Sequence, residues 1–216
     1  MLDNLINEFK DNIDLSDFFS YFNFEIVKEE IIASKNNLIF LLGAPGSGKT
    51  FMINYLLKNF SDKYQNFNGF ENIDKQKTLL IDEAQLLDDT EIERLRVLSD
   101  DGVQILFAMH EKEGEEVIKK PQFYSRYYQK IYMKPLNFEE FEKYVLKKIN
   151  KYSYPELLNR KLIKKIYKYS KGNFRLSKKI IFTAFNLLDF SLRNNLKYKK
   201  IDKCILNMAL IELEIK

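Results

Sequence analysis

Lys49, Thr50, Asp82 and Glu83 are the residues of this chain whose types and spacing could handle a phosphoanhydride. Lys49 and Thr50 close the run Gly43-Ala44-Pro45-Gly46-Ser47-Gly48-Lys49-Thr50, a full match to G-x-x-x-x-G-K-[ST]. The 216 residues contain seven glycines, and three of them fall inside these eight positions. Such a loop needs them, because backbone N–H groups wrap an anion only where no Cβ intervenes. Residues Gly43 to Thr50 therefore read as a phosphate cradle for ATP. Lys49 would reach the β- and γ-phosphates, and the Thr50 hydroxyl would ligate Mg²⁺.

Asp82 and Glu83 follow the apolar, β-prone run Thr78 to Ile81 in TLLIDEAQ. In an open parallel sheet, groups that touch ligands sit at the carboxyl ends of strands. Asp82 is placed there as the second Mg²⁺ ligand, and Glu83 as the base that polarises the attacking water. His110 ends a third apolar run, Val103 to Met109, where a polar side chain could sense the γ-phosphate.

These residues need a strand before the glycine loop and a helix after it. Both are present in the pattern. Leu38 to Leu42 is apolar, and FMINYLLKNF after Thr50 has helical spacing, so its N-terminal dipole would face the phosphates. Ahead of them, residues 1–20 read as an amphipathic helix on Leu2, Ile6, Phe9 and Ile13, and Asn23 to Lys35 as a second helix. Phe67 to Phe70 could form a short strand, Ile92 to Leu98 a helix, and Ile131 to Met133 a fourth core strand. The segment through Gly114 and Pro121 reads as a loop.

From Asn137 the pattern is helical to the end. Asn137 caps a first helix, Pro155 starts a second that Gly172 stops, Asn173 caps a third, and Ile201 begins a fourth. The expected architecture is α/β: a parallel-sheet core with N-terminal helices over residues 1–136, then an all-helical lid over residues 137–216. Charge divides in the same place. Residues 1–136 hold 16 Lys+Arg against 23 Asp+Glu, and residues 137–216 hold 19 against 8. The balances of −7 and +11 make up the net +4 and suggest an anionic partner, DNA bound weakly and without sequence preference, for the basic half. Lysines spread over solvated helix faces would give the same count.

Composition removes several classes. No apolar run approaches the roughly 18 residues that span a bilayer, and the acidic N-terminus is unlike a signal peptide. One cysteine, Cys204, and one histidine, His110, are too few for a disulfide or a structural zinc site. A cytoplasmic protein is expected, with any membrane association made through a protein partner.

GAPGSGKT, LLIDEAQ, a final core strand followed by KPL, and KGNFR in the third lid helix together resemble the AAA+ ATPases. Within them, LLIDEAQLLDDTEIERLRVLSD is similar to the matching stretch of general secretion pathway protein A-type ATPases, including the run Leu95-Arg96-Val97-Leu98-Ser99. The resemblance implies ATP hydrolysis, Mg²⁺, and ATP-dependent homo-oligomers. It also implies that Arg175 is the second sensor of the γ-phosphate, and that Arg126 is a finger acting on a neighbour's nucleotide. It carries two roles: a motor or switch for an envelope secretion, pilus or DNA-uptake machine, or a DNA-binding ATP switch of the transposition or replication-initiator type. A nucleotide-loaded adaptor with negligible turnover is disfavoured, because Lys49, Asp82 and Glu83 are all intact.

Overall fold

A computed structural model of the chain describes residues 2–11, 15 and 19–215. It divides into two compact units, Leu15–Lys134 and a helical one formed by Met1–Asp14 with Pro135–Lys216. The expected division kept residues 1–136 together, whereas the N-terminal stretch groups with the C-terminal helices.

The α/β unit is a five-stranded parallel sheet. In chain order the strands are β1 (Leu38–Gly43), β2 (Tyr64–Asn66), β3 (Thr78–Ile81), β4 (Ile105–His110) and β5 (Tyr128–Tyr132), and their spatial order is β2-β3-β4-β1-β5. The central strand β1, LIFLLG, is buried at all six positions, as a strand covered by helices on both faces must be. Alternation sorts its side chains. Leu38, Phe40 and Leu42 join Phe107, Met109 and Phe123 on one face, and Ile39 and Leu41 join Leu80, Leu106, Met52 and Leu56 on the other. Phe40 stacks on Phe107 with centroids 5.4 Å apart, and Phe123 meets Phe40 edge-on at 5.5 Å.

Helices α2 (Phe22–Ala33) and α3 (Lys49–Asn59) cover the second face, and α4 (Asp89–Asp100), α5 (Glu111–Ile118) and the short α6 (Pro121–Tyr124) cover the first. Among the described residues of the helix expected over 1–20, Asp3–Glu8 is helical (α1), and Ile13 lies outside the described residues. Two expectations in the α/β unit need correction. The edge strand is Tyr64–Asn66 rather than Phe67 to Phe70, because Tyr64 pairs with Thr78 while Phe67 and Phe70 turn onto each other edge-to-face at 5.2 Å. The segment through Gly114 and Pro121 is mostly helical rather than a loop: Gly114 lies inside α5, and Lys119 and Lys120 make the turn before α6. Gly114 is there for close packing: a Cβ on it would sit 2.3 Å from Leu42 Cδ2.

The helical unit contains α7 (Phe138–Lys151), α8 (Arg160–Tyr169), α9 (Phe174–Arg193) and α10 (Lys203–Glu212), together with α1. Asn137 and Glu140 form a reciprocal capping box on α7. Pro155 does not start α8. It lies in the preceding turn, where Leu157 and Leu158 are buried, and Asn159 caps α8 by accepting from Leu162 N at 3.1 Å. The last helix starts at Lys203 rather than Ile201, because Asp202 accepts the Cys204 and Ile205 amides.

The N-terminal helix is held by charge as well as by packing. Phe9 stacks on Phe185 at 5.7 Å, and Glu8 accepts from Lys148, Lys151 and the Tyr152 hydroxyl, each at 2.7 Å. Burial works to raise the Glu8 carboxyl, but these three hydrogen bonds outweigh it and hold the group below the usual glutamate range. Its contribution to stability is therefore complete above the unfolded value of about 4.3 and is lost as pH falls through the lower folded value. At neutral pH, Glu8→Gln is expected to cost about 2 kcal/mol in a urea titration. The gap from the parent should shrink as the buffer is acidified below pH ~4. A gap that stays constant with pH would make the contact one of packing alone.

Candidate nucleotide site

Register brings the chemistry to one edge of the sheet. Gly43, the last residue of β1, is paired with His110, the last residue of β4, while β3 lies on the other side of β4 and delivers Asp82 and Glu83. His110 Nε2 stands 3.6 Å from Glu83 Oε2. A residue placed by sequence only at a strand end thus faces the proposed base.

The glycine loop has the build of an anion cradle. Gly46 and Gly48 have φ of 74° and 103°, in the left-handed region where a side chain would be strained. Gly43 has no room for one, since a Cβ would lie 2.6 Å from the Met133 carbonyl oxygen and 2.7 Å from Ser47 Oγ. Gly48 is the N-cap of α3 and offers no side-chain cap, so the first N–H groups of that helix stay available to a ligand. Lys49 is 5% exposed, and its ammonium donates to the carbonyls of Gly43 at 2.9 Å and Ala44 at 3.3 Å.

Ser47 Oγ is buried and has no hydrogen-bond partner among the described residues. An orphaned hydroxyl inside a ring of amides, beside a buried ammonium, fits a polyphosphate better than it fits a closed protein turn. Thr50, half-buried in the first turn of α3, and Asp82, half-buried at the end of β3, supply the hard oxygen donors that Mg²⁺ requires. The donor set fits the metal and the nucleotide.

Glu83 has φ 47° and ψ 40°, a left-handed conformation uncommon for a residue with a side chain. Two bonds hold the turn: the Glu83 amide donates to Asp82 Oδ1 at 3.0 Å, and Gln85 Nε2 donates to Glu83 Oε2. Strain of this kind, over-determined by neighbours, is typical where a carboxylate must be aimed. Gln85 was not singled out from sequence. Its place two residues after the glutamate in DEAQ is the signal that could have found it. Tyr21 was also missed: its hydroxyl donates to the Ser47 carbonyl at 3.2 Å and braces the loop.

The two arginines are engaged within their own units. Arg126, 28% exposed, forms a two-pronged pair with Asp100 at the end of α4, through Nε at 2.8 Å and Nη2 at 2.9 Å. Those hydrogen bonds hold the Asp100 carboxyl below the usual range and raise the guanidinium's own value. Arg175, in the first turn of α9 after the Asn173 cap, makes an exposed pair with Asp11 at 3.2 Å.

The sequence matches no family model and no curated protein. Solved structures match over nearly its whole length. It is similar to the Holliday junction branch migration motor RuvB of Thermotoga maritima, with a TM-score of 0.68, 16% identity, and coverage of 96% of this chain and 74% of that one. Domain III of the replication initiation protein DnaA, also from Thermotoga maritima, gives 0.57 at 19% identity, with 95% and 97% covered. Cdc6p from Pyrobaculum aerophilum gives 0.65 at 13% identity, with 97% and 70% covered.

The fold is that of the AAA+ P-loop ATPases. At these identities the likeness is one of fold. Within that AAA+ fold the strand order β2-β3-β4-β1-β5 puts the glycine loop on the central strand β1 and the acidic pair one strand beyond β4. No helix among the described residues is long and apolar enough to cross a membrane.

Proposed function

We propose that this protein binds ATP with Mg²⁺ and hydrolyses it, working as an oligomeric switch or motor. The observation that carries the reading is the placing of a glycine cradle, a buried Lys49 and a restrained Glu83 at the carboxyl ends of β1 and β3, on either side of β4. Lys49 would exchange its bonds to the loop carbonyls for bonds to the β- and γ-phosphates, and the Ser47 hydroxyl would gain a partner. Thr50 and Asp82 would hold a magnesium ion, which would supply charge neutralisation at the phosphates. Glu83 orients and deprotonates the water, with Gln85 holding one carboxylate oxygen, beside which His110 stands, so that the other faces the water. Arg175 serves as the second sensor of the γ-phosphate by resemblance. Arg126 serves as the finger toward a neighbouring copy, and for that it must leave Asp100.

The finer role divides two ways. The DEAQ stretch favours a partner in a secretion, pilus or DNA-uptake machine, with this protein on the cytoplasmic side. The DNA-acting alternative draws on the structural likeness to a branch migration motor and a replication initiation protein, and on the basic half of the chain. The test of the common core is phosphate release from ATP by the full chain, with and without a magnesium chelator, over a range of protein concentrations. Turnover that rises more than linearly with protein and stops on chelation is expected. ATP that neither binds nor turns over in the presence of magnesium would overturn the reading.

A further inference from the structure

Between Leu157 and Leu188 the chain carries nine Lys and Arg residues and no Asp or Glu. That acid-free run spans α8 and most of α9, two helices packed together within the helical unit. On α8 the apolar residues Leu162, Ile163 and Ile166 are buried, and Lys161, Lys164 and Lys168 are exposed. Their spacing of three and four puts the lysines in one row along the helix. Lys165 stands beside that row, and the exposed Lys171 and Lys179 extend the charge through the turn at Gly172 into α9.

Some neighbouring cations have partners. Arg160 pairs with Glu142 at 2.9 Å, and Arg175 with Asp11. Lys161, Lys164, Lys165, Lys168, Lys171 and Lys179 form no ion pair with a carboxylate among the described residues. Like charges three and four residues apart repel and weaken a helix. Nothing within α8 offsets that repulsion, whereas a polyanion laid along the row would relieve it and release its own counterions.

We propose that the exposed face of α8, continued by Lys171 and Lys179, docks the phosphate backbone of a nucleic acid without reading its bases. The face bears on the DNA-acting alternative above and does not depend on ATP turnover. A bilayer fits it poorly. A helix lying on a membrane needs apolar side chains beside its cations, pointing at the lipid. Here the apolar side of α8 is spent on packing, and no large exposed hydrophobic residue lies between Leu157 and Leu188. A helix of ten residues is about 15 Å long, room for several backbone contacts and too little for a groove-reading dimer.

The test is fluorescence anisotropy of a labelled random-sequence duplex with the full chain, between about 50 and 200 mM salt. The parent should bind with an affinity that falls steeply as salt rises. In the triple variant K161Q/K164Q/K168Q the log–log salt slope should drop by about 3, at roughly 0.9 per phosphate contact. Binding at the lowest salt should weaken at least tenfold. A second triple, K197Q/K199Q/K200Q, removes equal charge from exposed positions of the same unit and should keep most of the affinity. Melting temperature should not fall in either, and should rise slightly in the first triple as the α8 repulsion is relieved; ATP affinity should be unchanged in both, which keeps this result separate from any failure of the nucleotide reading. Equal loss in the two triples would mean that net charge acts rather than this face. No binding by the parent, or no loss in the first triple, would overturn the proposal. So would phosphatidylserine vesicles that bind through the same three lysines while the duplex does not.

Discussion

Lys49→Ala is expected to lose ATP binding by more than a hundredfold. Lys49 is 5% exposed, and its ammonium already lies over the loop, 2.9 Å from the Gly43 carbonyl oxygen. It needs little reorganisation to meet a phosphate, and little water competes with it there. Truncating one member of a desolvated, hydrogen-bonded charge pair costs about 3 kcal/mol or more, which is two decades in affinity. Stability should change much less, because alanine is the best helix former and the lost partners are two loop carbonyls. Equilibrium titration with a fluorescent ATP analogue, beside a urea titration of the same protein, measures both quantities. Unchanged affinity in a folded variant would remove the nucleotide assignment altogether.

Glu83→Gln is expected to do the opposite to the two halves of the activity. Binding should survive, since the amide is nearly the same size and its oxygen can still accept from Gln85 Nε2. Turnover should fall by roughly a hundredfold or more, because an amide cannot take a proton from water. The left-handed backbone at Glu83 is set by the turn and by the Asp82 bond rather than by the carboxylate, so the site should keep its geometry. The same protein also probes Arg126. Mixed with Arg126→Ala, it would lend a working arginine to neighbouring sites whose Glu83 is intact, and turnover should recover. Recovery is expected only if the arginine acts across a subunit boundary. Mixtures that co-sediment without regaining activity would leave Arg126 as the structural partner of Asp100.

Much of the candidate nucleotide site is legible from the chain because its determinants are local. Three glycines in eight residues suit a tight, amide-lined loop, and an apolar run that ends in two acids at this distance after such a loop reads as a strand delivering them. Caps were equally local, and Asn137, Asn173 and the Gly172 stop stand where their side chains or backbone freedom require them. The misreadings share a different cause. Gly114 has the look of a breaker, yet it sits inside α5 because Leu42, 72 residues earlier, leaves no space for a Cβ. Pro155 has the look of a helix start, yet burial of Leu157 and Leu158 shifts the start to Arg160.

Sequence by itself determined the glycine loop, the acidic pair at a strand end, the parallel α/β core and the helical C-terminal part, since glycine freedom, charge and hydrophobic period act over a few residues. Only tertiary structure decided which strand lies beside which, and so that His110 faces Glu83 and that Gly43 pairs with His110. It also decided that α1 belongs with α7 and α9, tied by Glu8 to Lys148 across 140 positions, and that Arg126 rests on Asp100. Those outcomes depend on contacts between residues far apart in the chain, whose energies no local pattern encodes.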